Sequence, residues 1–288
     1  MKFGPLESLK FGRYCGVLID DTGSPGLQSR LPPLDPDRKT WVGVVVNPEQ
    51  ARSTVETMSA LTRELKRSVG ADEFHSKDVY GGKGRYNGTS IAERLVLFKV
   101  VAEVFRQYSF PIYVQTVDPR ILANLHTRGF PQAKLGIFDL NSNEGMALLL
   151  LLMRLKKHID EQQGIEPAPA QVFIDEGMRR AGVTFAIPGW ENTFAEGKVR
   201  FVRSSEANLV ALADFAAFVL NRQKILLQKD RLSELDLEFL RATSEAKLNF
   251  KNIPVEELDT YASDWQSVKA NYLQKFIEKE KEVGITRE

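Results

Sequence analysis

The sequence has few residues that could form disulfides or soft-metal sites. It contains 288 residues but only one cysteine, Cys15, and three histidines. A single cysteine excludes an internal disulfide, and it leaves no thiolate cluster for zinc. Cys15 lies within an apolar run, where the ordinary interpretation is a small buried hydrophobic residue.

Long apolar runs and an excess of charge of one sign are missing as well. The apolar run at residues 146–153 is too short to cross a bilayer and predicts a buried helix. Residues 1–13 lack the apolar segment of a signal peptide, so we expect a cytoplasmic protein with no membrane partner. The net charge of +1 gives no overall attraction for polyanions, so nucleic-acid binding would require a local basic patch.

The most informative feature that is present is an isolated acid in an apolar helix. Asp214 is the only ionisable residue in residues 209–220. Its helical neighbours three and four positions away are all apolar: Val210, Ala211, Ala217 and Phe218. Burying a carboxylate without a partner costs on the order of several kcal/mol. Another element must therefore supply a cation, a metal ion or hydrogen-bond donors to Asp214. Asp214 is therefore a candidate for a functional site.

Two further pairs of acids follow runs with strand propensity. Asp20 and Asp21 end one apolar run, and Asp175 and Glu176 end another. Polar residues that follow buried strands collect at one edge of an α/β sheet, where the helix carrying Asp214 could join them. Acids at strand ends are more often turn and cap residues, but together with Asp214 they favour a shared acidic cluster.

The segment from residue 73 to residue 86 combines a histidine, acids, glycines and cations. His75 and Asp78 could bind a metal, position a water or move a proton, while Lys83 and Arg85 could contact phosphate oxygens. The spacing required for a phosphate-binding P-loop is absent. The alternative is a solvated glycine loop.

Strand and helix patterns alternate along the chain, which predicts an α/β fold with a mostly parallel or mixed sheet. The predicted strands cover residues 14–19, 41–46, 111–117, 171–174 and 199–202, and the predicted helices cover about 48–69, 90–107, 143–159 and 209–220. Residues 22–38 predict a long loop rich in glycine and proline. We expect one domain over residues 1–228 and a helical extension over 229–288, with helices near 232–246 and 254–283. Those helices could pair two copies into a homo-oligomer or pack on their own domain.

The residues above resemble the bacterial family called domain of unknown function 3800, over roughly residues 12–228. The family's Asp-Glu-Ser-Gly after the first strand is matched by Asp20-Asp21-Thr22-Gly23. The family's histidine, acid and glycine-lysine-glycine stretch are matched by His75, Asp78 and Gly82-Lys83-Gly84. The acid at the end of its later strand is matched by Asp175. Its helical Gln-Leu-Ala-Asp is matched by Ala211-Leu212-Ala213-Asp214. Asp21, Thr22 and Ala211 depart from the family's glutamate, serine and glutamine.

The resemblance implies an RNase H-like mixed sheet flanked by helices, and a metal-dependent nuclease. Such enzymes place acids on the first strand, a central strand and a late helix, where they hold two divalent ions about 4 Å apart. The implied principal ligands are Asp20, Asp175 and Asp214, with Mg²⁺ or Mn²⁺ as the ions. Candidates for a fourth carboxylate are Asp21, Asp78, Asp118 and Glu176.

His75 would aid proton transfer or orient the substrate in such a site. Candidate contacts to the phosphate backbone of RNA or DNA are Lys83, Arg85, Arg179 and Arg180.

Two other functions fit parts of the pattern. A nucleic-acid or protein binding module could keep the fold without turnover. Asp21-Thr22-Gly23 also resembles the aspartic protease signature, but the chain has no second copy of it and is too rich in helix for that all-β class.

Overall fold

A mixed seven-stranded sheet with helices on both faces forms the body of the protein. The computed structural model describes residues 6–11, 13–22, 37–162, 169–226 and 229–251. The strands are β1 (Cys15–Asp21), β2 (Lys39–Val46), β3 (Pro111–Val117), β4 (Lys134–Leu135), β5 (Phe138–Asp139), β6 (Ala170–Asp175), β7 (Thr184–Ala186), β8 (Phe194–Val202) and β9 (Asn249–Lys251). The helices are α1 (Pro48–Val69), α2 (Ser76–Gly81), α3 (Ile91–Tyr108), α4 (Pro119–Thr127), α5 (Asn143–Gln162), α6 (Val210–Leu226) and α7 (Glu234–Ser244), with 3-10 turns at Glu7–Phe11 and Gly84–Tyr86.

The strand order places β1 and β6 side by side in the middle of the sheet. The order is β7-β8-β6-β1-β2-β3-β9, and β4 and β5 form a separate hairpin. β1 is parallel to β6 and antiparallel to β2, while β6 is parallel to β8. Ile19 of β1 pairs with Ile174 of β6, so the acids that follow these residues are at the same level of the sheet.

The alternation of side chains along β1 and β6 sends the strand-end acids to one face. Ile19 and Ile174 pack in the core beneath α5, whereas Leu18 and Phe173 pack in the core beneath α6. Successive residues of a strand point to opposite faces. The face of α6 is therefore the one reached by Asp20 and Asp175.

Local sequence signals account for the helices that frame this sheet. Pro48 begins α1, and Gly70 ends it in the left-handed conformation with φ of 71°. Ser90 and Glu93 form a capping box at the start of α3. α5 lies so close to β2 that a Cβ at Gly43 would come within 2.9 Å of Leu155 Cδ1. A side chain larger than hydrogen at position 43 would require Leu155 to move.

The structure confirms the α/β class and the mixed sheet, with strands and helices near the predicted positions. It also contains elements that the pattern did not predict: α2, α4, β4, β5, β7 and β9. The segment expected to be a glycine loop holds α2, which ends at Gly82 with φ of 59°. A helix of six residues is too short to show an amphipathic period, and its glycines favour a loop prediction.

The beginning of the predicted helical extension packs on the domain. α7 contacts α3, and β9 adds a parallel strand beside β3 at the edge of the sheet. The helix predicted at residues 254–283 and most of the loop predicted at residues 22–38 lie outside the described residues. In the described part of the chain no helix combines the length and apolar character needed to span a bilayer.

Candidate functional site

Three acids from three distant segments meet on the α6 face of the sheet, at the ends of β1 and β6. Asp20 is only 9% exposed. Its burial, and then the negative charges of Asp214, Asp175 and Asp21, raise its pKa well above the ordinary value. The pKa of Asp175 and that of Asp214 are also raised, in each case chiefly by burial. Asp20, Asp175 and Asp214, hereafter the acid cluster, therefore act on one another electrostatically.

The start of α2 holds the carboxylate of Asp214. The backbone N–H of Ser76 donates to Asp214 Oδ2 at 2.7 Å, and the buried Ser76 hydroxyl lies beside the same carboxylate. These contacts lower the pKa of Asp214 but do not offset the effect of its burial. α2 supplies the partner from another element that the isolation of Asp214 in α6 requires.

His75 lies between the acid cluster and a further acid. Its Nε2 is 4.0 Å from Asp214 Oδ1, and its Nδ1 is 3.3 Å from Asp78 Oδ2. The side chain of His75 is 45% exposed, which leaves it accessible to a substrate. An imidazole flanked by two carboxylates can accept a proton at one nitrogen while the other nitrogen faces an acid that stabilises the positive charge.

Polar groups after β6 and β8 orient the second strand-end acid. The Ser204 hydroxyl donates to Asp175 Oδ1 at 2.6 Å, which lowers the pKa of Asp175 against the effect of burial. Glu176 accepts from Arg203 Nε at 3.0 Å and from the Ala181 N–H at 3.3 Å. The carboxylate of Glu176 thus stabilises the turn after β6.

Glu73 extends the acidic surroundings of the cluster. Burial raises the pKa of Glu73, His75 lowers it, and the charges of Asp214, Glu176 and Asp78 raise it further. The Glu73 carbonyl accepts a hydrogen bond of 3.0 Å from the buried Tyr86 hydroxyl. This bond joins the two ends of the segment that carries His75 and Asp78.

Two of the predicted fourth ligands lie elsewhere. Asp21 forms ion pairs with Lys39, which also pairs with Glu144 at 3.0 Å, on the α5 face of the sheet. Asp118 caps α4 by accepting from the N–H groups of Arg120 and Ile121 at 2.9 and 2.8 Å. It follows β3, which is two strands and about 10 Å from β1. The structure therefore brings Asp78 and Glu176 near the acid cluster but gives Asp21 and Asp118 other partners.

The four predicted phosphate-binding cations are exposed: Lys83, Arg85, Arg179 and Arg180. Lys83 and Arg85 follow α2, and the positive charge of Arg85 acts on Asp72. Arg179 and Arg180 lie in the turn after β6, where Arg179 Nη2 donates to the Ile137 carbonyl at 3.2 Å.

The chemistry of the acid cluster fits a hard divalent cation, although no complete ligand shell is preformed. Its donors are carboxylate oxygens, which Mg²⁺ and Mn²⁺ prefer. Burial first and neighbouring negative charges second raise the pKa values of these acids, and a divalent cation would offset both effects. Among the described residues, no three histidine, cysteine, aspartate or glutamate side chains are already arranged around one ion position. Mg²⁺ commonly binds through one or two carboxylates and completes its shell with waters and substrate oxygens.

Three supporting residues were not predicted from the sequence: Glu73, Ser76 and Ser204. Ser76 follows His75 directly, and Ser204 lies two residues beyond the end of β8. Polar residues after a predicted strand are the signal that could have identified Ser204. The contact between Ser76 and Asp214 depends on tertiary packing and leaves no local pattern.

Comparisons with known proteins give no match, so any functional conclusion rests on this geometry. No protein-family model matches the chain, and neither the curated proteins nor the solved structures include a match.

Proposed function

We propose that the protein hydrolyses phosphodiester bonds of RNA or DNA in a reaction that depends on Mg²⁺ or Mn²⁺. The observation that carries this proposal is the acid cluster, whose members come from β1, β6 and α6 and raise the pKa of Asp20. This distribution over a first strand, a central strand and a late helix agrees with the RNase H-like arrangement expected from the family resemblance. The mixed sheet with flanking helices supports the same assignment.

In this proposal the acid cluster holds the cation. Asp20, Asp175 and Asp214 present their oxygens on one face of the sheet, and Ser76 and Ser204 fix the orientation of two of them. When bound, a pair of divalent ions would activate water and neutralise charge on the leaving oxygen.

His75 is assigned the transfer of a proton to or from the reacting groups. Its Nε2 faces Asp214, and Asp78 beside Nδ1 stabilises the protonated ring. The exposed Lys83, Arg85 and Arg180 would hold phosphate oxygens of the substrate as they approach.

The experiment is an incubation of the purified chain with single-stranded and double-stranded RNA and DNA, with Mg²⁺, Mn²⁺ or a chelator. We expect cleavage that requires the metal and is lost in Asp214→Asn. The matched control is Asp230→Asn, because Asp230 is an exposed acid with no role in the proposed site. Absence of cleavage by the wild type, or equal cleavage by Asp214→Asn, would contradict the proposal.

A further inference from the structure

The helices in the described part of the chain leave part of the sheet uncovered on the same face as the acid cluster. α6 packs across β1 and β2. The outer strands β8 and β7 carry four exposed residues on this face: Lys198, Arg200, Thr184 and Ala186. We call these four residues the open face.

The side to which the open face points follows from strand register. Val199 and Phe201 of β8 pack in the core beneath α5, so the intervening Arg200 points to the α6 side. Arg200 pairs with Phe173 of β6, which packs in the core beneath α6. Asp175 is two residues beyond Phe173, on the same face.

The register also gives the distance between the open face and the site. Asp175 pairs with Val202, so Arg200 is offset by one strand and two residues, or about 8 Å between Cα atoms. Lys198 lies on the same line, two residues or about 6.6 Å from Arg200 along β8, and is farther from Asp175. Two cations thus lie in a row that leads to the acid cluster.

The charges around this row leave Arg200 available to a ligand. Lys198 forms an ion pair with Glu196, and Arg203 pairs with Glu176 and Glu206. Arg200 has no ion-pair partner in the described ranges, although its charge acts on Glu196. The neighbouring Thr184 and Ala186 are small, so their side chains do not block access to the guanidinium.

We propose that the open face binds the phosphate backbone of a single-stranded nucleic acid and directs it toward Asp175. This inference rests on the proposed function and adds a binding track to it. A strand places alternate side chains about 6.6 Å apart, similar to the separation of neighbouring phosphates in an extended nucleic-acid strand. Arg200 would form charge-assisted hydrogen bonds to one phosphate, and Lys198 would exchange Glu196 for the next. A row of two cations on one strand needs only one backbone, so a single strand supplies every phosphate that the open face contacts.

The test is the fluorescence anisotropy of labelled single strands of about 16 nucleotides, a length within the range of known single-strand site sizes. RNA and DNA are measured in separate arms, in chelator and at several salt concentrations, with wild type and the double variant Lys198→Gln/Arg200→Gln. Lys157→Gln/Arg128→Gln is the matched control, because both cations are exposed and lie on the α5 side of the sheet. Arg200→Lys tests the charge alone, and thermal unfolding checks that every variant is folded.

We expect the double variant to weaken binding by about tenfold and to reduce the slope of log affinity against log salt by about 1 to 2. The control double variant should bind like the wild type, and Arg200→Lys should retain most of the affinity. Unchanged affinity and salt slope in the folded double variant would overturn the inference, as would a wild type that does not bind single strands.

Cleavage assays separate this inference from the proposed function. A wild type that cleaves, with a KM that the double variant does not change, would leave the nuclease standing without the binding track. If the protein binds single strands through Arg200 but cleaves no nucleic acid, the inferred binding track stands and the proposed nuclease activity is contradicted.

Discussion

The backbone N–H of Ser76 donates a hydrogen bond of 2.7 Å to Asp214 Oδ2 across 138 positions of sequence. This bond connects the short helix α2 to Asp214 of α6, whose side chain is 15% exposed. It stabilises the charged form of Asp214, which burial opposes. The same contact places His75, the residue before Ser76, beside the acid cluster.

Replacing Ser76 by proline removes this donor at the first position of a helix, where proline is common. Ser76 is the first residue of α2, and His75 has φ of −123° and ψ of 106°, which suit a residue before proline. Loss of the bond should raise the pKa of Asp214 further and weaken divalent-ion binding by about tenfold or more, since a hydrogen bond to a charged group contributes about 1.5–3 kcal/mol.

The control for this change is Ser76→Ala, which keeps the N–H and loses only the hydroxyl. Calorimetry with Mn²⁺ at several pH values should show a smaller loss of Mn²⁺ affinity for Ser76→Ala than for Ser76→Pro. The loss of Mn²⁺ affinity in Ser76→Pro should diminish as the pH rises, because Asp214 becomes ionised again once the pH exceeds its raised pKa. Equal affinities for Ser76→Pro and the wild type would show that the bond has no role in the site.

Neutralising a member of the acid cluster should stabilise the fold in the absence of divalent ions. Asp20 is buried among like charges, which penalise its ionised form in the folded protein. Asparagine keeps an oxygen that can accept the Asp21 N–H, bonded at 2.7 Å to Asp20 Oδ1. In chelator at neutral pH, we expect Asp20→Asn to raise Tm by roughly 2–4 °C, the change that accompanies about 1 kcal/mol.

This stabilisation should shrink as the pH falls. A carboxyl group whose folded pKa is raised destabilises the fold above its unfolded pKa, and the penalty disappears once the group is protonated in both states. Differential scanning calorimetry of Asp20→Asn and wild type, at neutral and at acid pH, measures both effects. A lower Tm for Asp20→Asn in chelator would indicate that Asp20 is primarily a structural residue.

Replacing His75 by alanine should slow cleavage without removing the cation. The His75 side chain makes no capping hydrogen bond to α2, so the helix should persist. Loss of a proton-transferring residue typically lowers kcat by about 10²–10⁴. Single-turnover cleavage, together with Mn²⁺ calorimetry, separates the two roles.

The neighbouring Lys77→Ala is the control for His75→Ala, because Lys77 is exposed on the same short helix. A normal cleavage rate in His75→Ala would remove this histidine from the mechanism. Loss of Mn²⁺ binding in the same variant would assign it to the cation instead.

A second buried acid, Asp236, should govern the acid stability of the fold. It accepts from Arg222 Nη2 at 2.7 Å and from Lys229 Nζ at 2.6 Å, and it also bonds Tyr80 and Ser233. These donors hold its pKa well below the ordinary value against the effect of burial. The stabilisation is complete above the unfolded pKa of about 3.9 and is lost as the pH falls below it toward the folded pKa.

Asp236→Asn should therefore lower the free energy of unfolding by about 2–3 kcal/mol at neutral pH, because two partly exposed cations lose charge-assisted hydrogen bonds to Asp236. The difference from wild type should narrow below pH of about 4. Urea denaturation across this pH range measures both, with Asp230→Asn as an exposed control. A neutral-pH stability equal to that of the wild type would contradict the role given to this network.

Much of the site could be predicted because buried acids are rare in apolar segments. Asp214 lies in an otherwise apolar helix, and Asp20 and Asp175 end apolar strands, so each gives a signal within its own segment. The alternation of β1 and β6 then determines which face these acids reach. The helix-strand alternation was sufficient to predict the α/β class.

The remaining features depend on contacts between distant segments. The pairing of Asp21 with Lys39 and the capping role of Asp118 are the turn and cap functions usual for acids at strand ends. α2 is stabilised by Arg94, whose Nη1 donates to the Val79 carbonyl at 3.2 Å, and by the network around Asp236. β9 forms by pairing with β3, far earlier in the chain. Neither element has a local sequence signal strong enough to predict it.

The most direct measurement of whether Asp20, Asp175 and Asp214 form a cation site is a thermal-unfolding titration with Mn²⁺. The wild type should gain about 2.7 kcal/mol of stability at a Mn²⁺ concentration of about 100 Kd, whereas Asp20→Asn and Asp214→Asn should gain little or none. Asp230→Asn should behave like the wild type. A wild type that Mn²⁺ does not stabilise, or that gains no more than the Asp20→Asn and Asp214→Asn variants, would contradict the existence of this site.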